Sequence, residues 1–219
     1  THKNAVVYSK IFLPKNAPKE FADRQTLWNA VESVEKQKNS QLYREFEISL
    51  PNECSEEQKI EMVEKFCQIL TNEGMCVDAS IHDVRAGQRG KKGKIKKNDN
   101  SHAHIIAPLR AIGENGEFLP KRIRKYKVDE KGNKIAVRDR YGNQKIEKKT
   151  GRKLWEREDI NTTNWGDKEK LKEWRETWQN IANEYLPEGE GIDHRTLSEQ
   201  IKDWEQAIDE FEVKLQQIK

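Results

Sequence analysis

Three segments that carry apolar residues at every second position limit the folds that this chain can adopt. They are LYREFEISLP at residues 42–51, MCVDASIHDV at residues 75–84 and SHAHIIAPLR at residues 101–110. Because successive side chains of a β-strand point to opposite faces, each segment predicts a strand with one face on a core and the other face open. Helical patterns separate several strands, so we expect an α+β domain with a mainly antiparallel sheet, helices packed on one face and a further C-terminal helix.

Capping residues and apolar periodicity predict four helices. Asp23 can cap the first helix, and Ser55 begins the S-x-x-Q pattern of a capping box at the second. The third helix is expected to begin at Asp167 and the fourth near Thr196. The apolar residues that predict the inner face of the third helix are Leu171, Trp174, Trp178, Ile181 and Tyr185.

The fourth helix carries apolar residues at alternating spacings of four and three, the heptad pattern of a coiled coil. Two interpretations are open: the helix packs on the domain before it, or it pairs with another chain. We predict one domain over residues 1–195 and, over residues 196–219, the start of a heptad-patterned helix that leads to a further region. The seam residues are Leu197, Ile201, Trp204, Ile208, Phe211, Leu215 and Ile218.

The apolar runs and the cysteines indicate the cellular compartment in which this protein is expected. No run approaches the roughly 20 apolar residues that a membrane-spanning helix needs, so no membrane insertion is expected. No secretory signal pattern opens the chain. The three cysteines form no CxxC pair, which is typical of a protein in a reducing compartment. We therefore expect a cytoplasmic protein.

Three of the five histidines fall on the predicted strands, and they share the polar face. His102 and His104 are two residues apart, and His82 has the same parity as the polar residues of its own strand. If the strands pair, three imidazoles converge, and neutral imidazole binds divalent transition metals. Three protein ligands leave coordination positions open, as in catalytic sites. Glu45 and Glu47, on the polar face of a third strand, are weaker candidates to support these ligands. The alternative for each histidine alone is an ordinary surface residue.

Charge is distributed unevenly along the chain. Residues 85–97 have a net charge of +7 and residues 121–153 one of +10, so the remainder must carry −14 to give the total of +3. Either run alone can be a solvated loop. Two cationic runs on an acidic body favour a polyanionic partner, and a metal beside them favours phosphodiester chemistry. The cations expected to bind phosphates are Arg85, Arg89, Lys91, Lys92, Lys94, Lys96, Lys97, Arg122, Arg124 and Lys125.

The histidine pattern resembles the H-x-H motif of HUH endonucleases, and the wider sequence resembles the MobA/MobL plasmid-mobilisation relaxases. The segments GMCVDASIHD, HAHIIAPLR, TTNW, WRETWQNIAN and IDHRT match that family in order, over about residues 4–200. The resemblance implies that His82, His102 and His104 bind a divalent metal, Mn²⁺ or Mg²⁺ with Zn²⁺ as an alternative. It also places the acids of Glu45–Phe46–Glu47 beside that site.

The same resemblance implies an activity and its partners. Such relaxases bind an origin of transfer, partly as a hairpin and partly as single-stranded DNA. They nick one strand through a tyrosine, stay joined to the 5′ phosphate and later rejoin the strand. Accessory mobilisation proteins, a conjugation secretion apparatus and the bacterial cytoplasm are the implied partners and location.

Two departures from the family pattern stand out. The family usually has little more than a short GGGNP between the first histidine and H-x-H, where this chain has VRAGQRGKKGKIKKNDNS. The family tyrosine lies in a segment like AAYRSG that precedes the stretch matching Thr1. We therefore expect the sequence to begin inside the domain, without its first strand and its nucleophile. Tyr8 does not match the nucleophile position and is interpreted as a packing residue.

Three other functions are open. A nucleic-acid-binding module without catalysis fits a chain that lacks the tyrosine. A replication initiator of the HUH type would take its tyrosine from a later helix, where Tyr185 is the candidate, but that residue falls on an apolar helix face. A three-histidine zinc hydrolase leaves both basic runs unexplained.

Overall fold

The computed structural model describes residues 5–83 and 101–217, which form strands and helices in the mixed order of an α+β protein. The strands are β1 (Ala5–Phe12), β2 (Tyr43–Ser49), β3 (Val77–Asp83), β4 (His102–Pro108), β5 (Arg122–Tyr126) and β6 (Arg157–Asn161). The helices are α1 (Arg24–Val34), α2 (Glu56–Asn72), α3 (Lys168–Asn183) and α4 (Leu197–Gln217), and a short 3-10 helix, Lys19–Ala22, precedes α1.

Four strands form one antiparallel sheet in the order β1-β3-β4-β2. The central pair is β3 and β4, in which Ser80 lies opposite His104 and His82 lies opposite His102. On the other side of β4, Glu47 of β2 lies opposite His104. The predicted α+β class and the mainly antiparallel sheet are therefore confirmed.

One face of this sheet packs against α2 and α3 and forms the main core. Ala79 and Ile105 of the sheet, Phe66 of α2 and Trp174 of α3 are almost completely enclosed. Phe46 meets Trp174 edge to face, with ring centroids 5.2 Å apart. Ser55 caps α2 with both hydrogen bonds of the predicted capping box.

The inner face of α3 is rotated slightly from the predicted one. Leu171 was expected to face the core, but it is 51% exposed. Lys170 takes the inner position instead: its ammonium is bound by Glu73 at 2.8 Å and Glu173 at 2.7 Å, and it lies over the Trp174 ring. Its ion pairs thus allow Lys170 to be buried, although the apolar pattern of the sequence predicts an exposed position for it.

Helix α1 lies on the opposite face of the sheet and covers only one end of it. A second cluster of Leu27, Val31 and Phe21 packs there with Cys76 and Ile112. The sheet therefore has helices on both faces, with α1 as an addition to the predicted layer. The part of this face that carries the histidines stays partly open.

Residues 121–161 form a separate arm built from β5, β6 and a series of hairpins. Two of its turns lie within DEKGNK and RYGNQK, where Gly132 N–H donates to the Asp129 carbonyl and Gly142 N–H donates to the Asp139 carbonyl. A third turn ends at Gly151, and all three glycines have positive φ, a conformation that glycine adopts without a side-chain clash.

Beyond β5 and β6, three backbone segments of the arm meet in closed rings. Ile135 N–H donates to the Lys127 carbonyl at 3.0 Å, Glu156 N–H to that of Ile135 at 2.8 Å, and Lys127 N–H to that of Glu156 at 3.0 Å. Each segment thus bonds to both others, as in a triangle. A second ring of the same kind joins Val137, Lys145 and Leu154.

The last helix, α4, begins with the predicted capping box, in which Thr196 and Glu199 bond each other reciprocally. Its apolar seam does not pack on the domain: Trp204 is 60% and Phe211 is 62% exposed. The interpretation of a helix packed on its own domain is therefore wrong for the described residues. Of the helices in residues 5–83 and 101–217, none has the length and hydropathy required to cross a bilayer.

Candidate metal centre

Three imidazoles lie together on the open face of the central strands. Strand β3 supplies His82, and β4 supplies His102 and His104, whose side chains share a face because they are two residues apart. The ring centroids are 4.8 to 5.4 Å apart. One ring nitrogen of each lies within 4.8 Å of the other two, so these residues can hold a metal ion. The structure thus brings together the three residues that the sequence singled out.

Glu45 orients one of these imidazoles. Its Oε1 lies 2.6 Å from His104 Nδ1. A carboxylate accepts hydrogen bonds, so this contact requires the proton of neutral His104 to be on Nδ1, which leaves the Nε2 lone pair for a ligand. Glu47 is directly opposite His104, but within the described residues it forms no hydrogen bond to an imidazole. The two predicted acids are therefore not equivalent.

Electrostatics favour neutral imidazole at His82. Partial burial lowers the pKa of His82, and the neighbouring imidazoles of His104 and His102 lower it further, because a second positive charge there is unfavourable. Metal ligation requires the unprotonated form. Neutral His82 can therefore bind one metal cation together with His102 and His104.

The donor set fits a divalent transition metal. Nitrogens bound tetrahedrally at about 2.1 Å from one ion are about 3.4 Å apart. The observed separations of up to 4.8 Å need closure by up to about 1.4 Å, which side-chain rotation provides. Imidazole suits Zn²⁺ and other transition metals better than Mg²⁺, which prefers oxygen ligands.

Tyr8 lies on the other face of the sheet from the histidines. It is opposite Ile81, a core residue next to His82, and its hydroxyl donates to Glu64 of α2 at 2.6 Å. Burial and the adjacent Glu64 raise the pKa of Tyr8 above its ordinary value, which keeps the hydroxyl protonated. This position agrees with the interpretation of Tyr8 as a packing residue.

Tyr43 shares the face of the histidines but lies far along β2. It is four residues from Glu47, which is opposite His104, a distance of roughly 13 Å along the strand. No tyrosine of the described residues is therefore placed to act at the centre. Of the others, Tyr126 and Tyr141 lie on the arm, and Tyr185 packs against the core.

The predicted phosphate-binding cations fall in two groups. Those from Arg85 to Lys97 lie outside the described residues; the segment joins Asp83 to Ser101, so its attachment points adjoin the histidines. The other group lies on β5. Arg124 is paired there with Asp159 through two hydrogen bonds, which also raise its pKa. Arg122, Arg124 and Lys125 are all exposed.

A cationic cleft at the root of the arm was not predicted from the sequence. Its volume is about 850 Å³, and it lies between the chain after α1, the start of β2 and the first residues of the arm. Glu35 in its wall accepts hydrogen bonds from Arg110 at 2.7 Å and from Lys121 at 2.9 Å. These residues are distant in sequence, so no local pattern could identify them as neighbours.

Arg24, on the face of the histidines, was also missed. It is the first residue of α1, where a cation opposes the helix dipole. A basic residue at that position is a signal that sequence reasoning can use, because the unfavourable charge implies an anionic partner. Here the partner is Asp78 of β3, bound at 2.7 Å.

Comparisons with protein families and with individual known proteins found several matches. A model of the MobA/MobL family matches residues 1–215. The chain is 32% identical over 212 residues to "Probable mobilization protein MobA" of Bifidobacterium longum, a match that covers 95% of this chain and 35% of that protein. It is 31% identical over 137 residues to "Mobilization protein MobL" of Acidithiobacillus ferridurans, covering 56% of this chain and 35% of that protein.

A solved structure has a similar fold. It is described as "Molecular Basis of Vancomycin Resistance Transfer in Staphylococcus aureus", and it matches with a TM-score of 0.63 and 33% identity, over 88% of this chain and 77% of the other. The chain spans about a third of the length of both mobilization proteins, at 35% of each.

Proposed function

This chain belongs to the MobA/MobL family, and on that premise we propose that it is the relaxase domain of a plasmid-mobilisation protein. The proposed reaction is metal-dependent, site- and strand-specific nicking and rejoining of DNA at an origin of transfer, through a 5′ phosphotyrosine intermediate. The observation that carries it is the convergence of His82, His102 and His104 on an open sheet face, with Glu45 bound to one of them.

Each residue of the site has a proposed role. His82, His102 and His104 hold the metal, which when bound withdraws charge from a phosphate oxygen and orients the phosphodiester for in-line attack. Glu45 keeps the His104 proton on Nδ1 and fixes the ring. Glu47 lies opposite His104 without a hydrogen bond to it, so we assign it the weaker, electrostatic role.

The metal that fits best is a transition metal. Three nitrogen donors favour Mn²⁺ over Mg²⁺, and Zn²⁺ is the alternative that the same donors accept. The open sheet face leaves room for oxygen atoms of a DNA strand beside the three nitrogens. A competition between Mn²⁺ and Mg²⁺, followed by calorimetry, separates these metals.

DNA is the proposed partner of the arm and of both basic stretches. The arm is rich in cations, and Lys134 lies 4.1 Å and Arg157 4.9 Å from the centre of the Tyr126 ring. Clustered cations neutralise phosphates and release counterions. We assign hairpin DNA to the arm, and single-stranded DNA to the face of the histidines. The cations from Arg85 to Lys97 are proposed to bind the same strand.

The nucleophilic tyrosine is proposed to come from a segment before residue 1, as the family resemblance implies. Tyr8 contacts Glu64 on the packed face, and Tyr43 is roughly 13 Å along β2 from the residue opposite His104. Neither of these two tyrosines is therefore expected to form the covalent adduct with DNA.

The wider setting is proposed from the family. Accessory mobilisation proteins and a conjugation secretion apparatus are the further partners, and the bacterial cytoplasm is the location.

The decisive experiment compares three proteins on an origin-derived oligonucleotide with Mn²⁺. They are the chain as given, its His102→Ala variant, and a version extended at the N-terminus. We expect metal-dependent binding by the first, loss of metal binding of at least a hundredfold in the second, and a covalent DNA adduct only with the third. Unchanged metal content and cleavage in His102→Ala would reject the site.

A nucleic-acid-binding module without catalysis is the second candidate, favoured by the position of every described tyrosine away from the histidines. Strand binding without cleavage by the extended protein would support it. A replication initiator that uses Tyr185 is disfavoured, because that residue packs against the core on the far side of the sheet.

A further inference from the structure

Arg24 forms a fixed cationic group on the same sheet face as the histidines. Its Nε and Nη2 each donate to Asp78 at 2.7 Å, and Nη2 also donates to Ser9 Oγ at 2.5 Å. Trp28, one turn further along α1, donates its Nε1–H to the same carboxylate at 3.0 Å. The guanidinium is thus held at a fixed place on the sheet before any ligand arrives.

The Arg24–Asp78 pair is asymmetric in its exposure. The Asp78 side chain is 6% exposed and that of Arg24 is 52% exposed. The negative charge is therefore enclosed beneath α1, while part of the guanidinium faces solvent. A guanidinium has five N–H donors, and Nη1 has no hydrogen-bond partner within residues 5–83 and 101–217. The two N–H groups of Nη1 are therefore the donors that remain for a phosphate oxygen.

A row of small polar side chains leads from Arg24 to the histidines. Ser9 of β1 lies opposite Ser80 of β3, and Ser80 lies opposite His104 of β4. Neighbouring strands are about 4.8 Å apart, so Ser9 is roughly 10 Å from His104. Ser9 and Ser80 are short side chains, so no large side chain of these two positions stands between Arg24 and His104.

We propose that Arg24 binds a backbone phosphate of the single-stranded DNA, adjacent along the strand to the phosphate held at the three histidines. This inference rests on the proposed function and adds a second anchor to it. Phosphate contacts set the register of a nucleic acid on a protein. Arg24 thereby positions the strand, and Asp78 acts through Arg24 by fixing its guanidinium. Preorganisation of this kind reduces the entropy lost on binding.

A purely structural role is the competing explanation. In that case the pair only ties α1 to the sheet, and its removal lowers stability without any specific change in DNA binding. The salt dependence of binding distinguishes the two, because it reports how many phosphates are neutralised and does not depend on fold stability.

The test compares Arg24→Gln with Lys10→Gln on a single-stranded oligonucleotide with Mn²⁺. Lys10 is a matched control: it follows Ser9, is 51% exposed and pairs with a single carboxylate, Glu64, on the opposite face of the sheet. We expect Arg24→Gln to bind about tenfold more weakly. The slope of log K against log salt should fall by about 0.7, the value for one phosphate of a single strand. Lys10→Gln should keep the wild-type slope.

Each outcome has a distinct meaning. A wild-type slope in folded Arg24→Gln overturns the Arg24 inference, whereas failure of the wild-type chain to bind single-stranded DNA overturns the proposed function itself. Arg24→Lys, which keeps the charge and loses the fork, should retain the slope with reduced affinity.

A second measurement does not require a variant to fold. Phenylglyoxal modifies exposed arginines, and peptide mapping by mass spectrometry reports the extent at Arg24 in the wild-type chain. Saturating single-stranded DNA should protect Arg24 at least several-fold. Equal modification with and without DNA, under conditions where the complex is saturated, contradicts the inference.

Discussion

On the face of the sheet that packs against α2 and α3, Ala79 and Ile105 are completely buried. On the opposite face of the same two strands, His82 and His104 remain partly exposed, beside serines and glutamates. One set of side chains removes apolar area from water, which is the main favourable contribution to folding. The other set makes little contact with the core.

In β3 and β4, the residues that stabilise the fold and the residues that form the candidate site therefore alternate along each strand. Odd-numbered residues of β3 and β4 hold the fold, and even-numbered ones carry the candidate site. A substitution on the packed face should therefore change the free energy of unfolding, and one on the open face should change metal or DNA binding. Three substitutions test this separation, from the largest expected effect to the smallest.

Trp174→Ala should have the largest effect on folding. Trp174 is 2% exposed and meets Phe46 edge to face, so its truncation should lower the free energy of unfolding by about 3–5 kcal/mol. Urea denaturation followed by circular dichroism measures this loss. His102→Ala, on the open face, is the control and should lose less than about 1 kcal/mol without metal. Similar losses of unfolding free energy in both variants would contradict the idea that only the packed face stabilises the fold.

Glu45→Gln should mainly change metal binding. Its carboxylate is hydrogen-bonded to His104 Nδ1 at 2.6 Å, and removal of such an outer partner weakens metal affinity by about 10- to 100-fold. Titration calorimetry with Mn²⁺ measures this change. Glu47→Gln is matched in chemistry, strand and face, and it should bind Mn²⁺ nearly as well as the wild type. Equal affinities for the two variants would show that the hydrogen bond to His104 has no effect on the metal.

His82 should give the smallest effect, a pH dependence of stability in the absence of metal. Burial and the adjacent imidazoles lower its pKa in the folded protein below the ordinary 6.5. The unfolded chain then binds the proton more readily, so stability rises with pH between the folded pKa and about 6.5 and is lost as pH falls through that window.

Denaturation at about pH 7.5 and about pH 5.5 tests this expectation, since these values bracket the upper part of the window. The difference between the two free energies of unfolding should be smaller in His82→Gln than in the wild type. An equal or larger difference in the variant would mean that His82 is not the group responsible.

The sheet and its histidines could be predicted because their pattern is local. Alternation within VDASIHD and HAHIIAP determines which residues share a face, and the pairing of the two strands then brings His82 to His102. The acid pair of β2 was placed on the correct face for the same reason. The hydrogen bond that distinguishes Glu45 from Glu47 depends on the side-chain rotamers of residues on two strands. The alternation pattern does not specify these rotamers.

Other features could not be predicted because they depend on packing between distant segments. Asp78 was expected only to face away from the core, and its enclosure by Arg24 and Trp28 depends on where α1 lies. The three-way pairing in the arm joins residues such as Lys127 and Glu156, which are far apart in the sequence. Lys170 is buried because its ammonium is paired with Glu73 and Glu173, and the polarity of a lysine alone predicts an exposed position.

The closed rings of the arm have a consequence for how this region tolerates sequence change. Ile135, Lys127 and Glu156 are joined through backbone groups alone, so the bonds do not depend on which side chains those positions carry. Only the turns impose residue types, through glycines such as Gly132 and Gly142 with positive φ. The outward side chains are therefore free to diverge between relatives while the scaffold persists, much as loop residues vary on the fixed frame of an antibody domain.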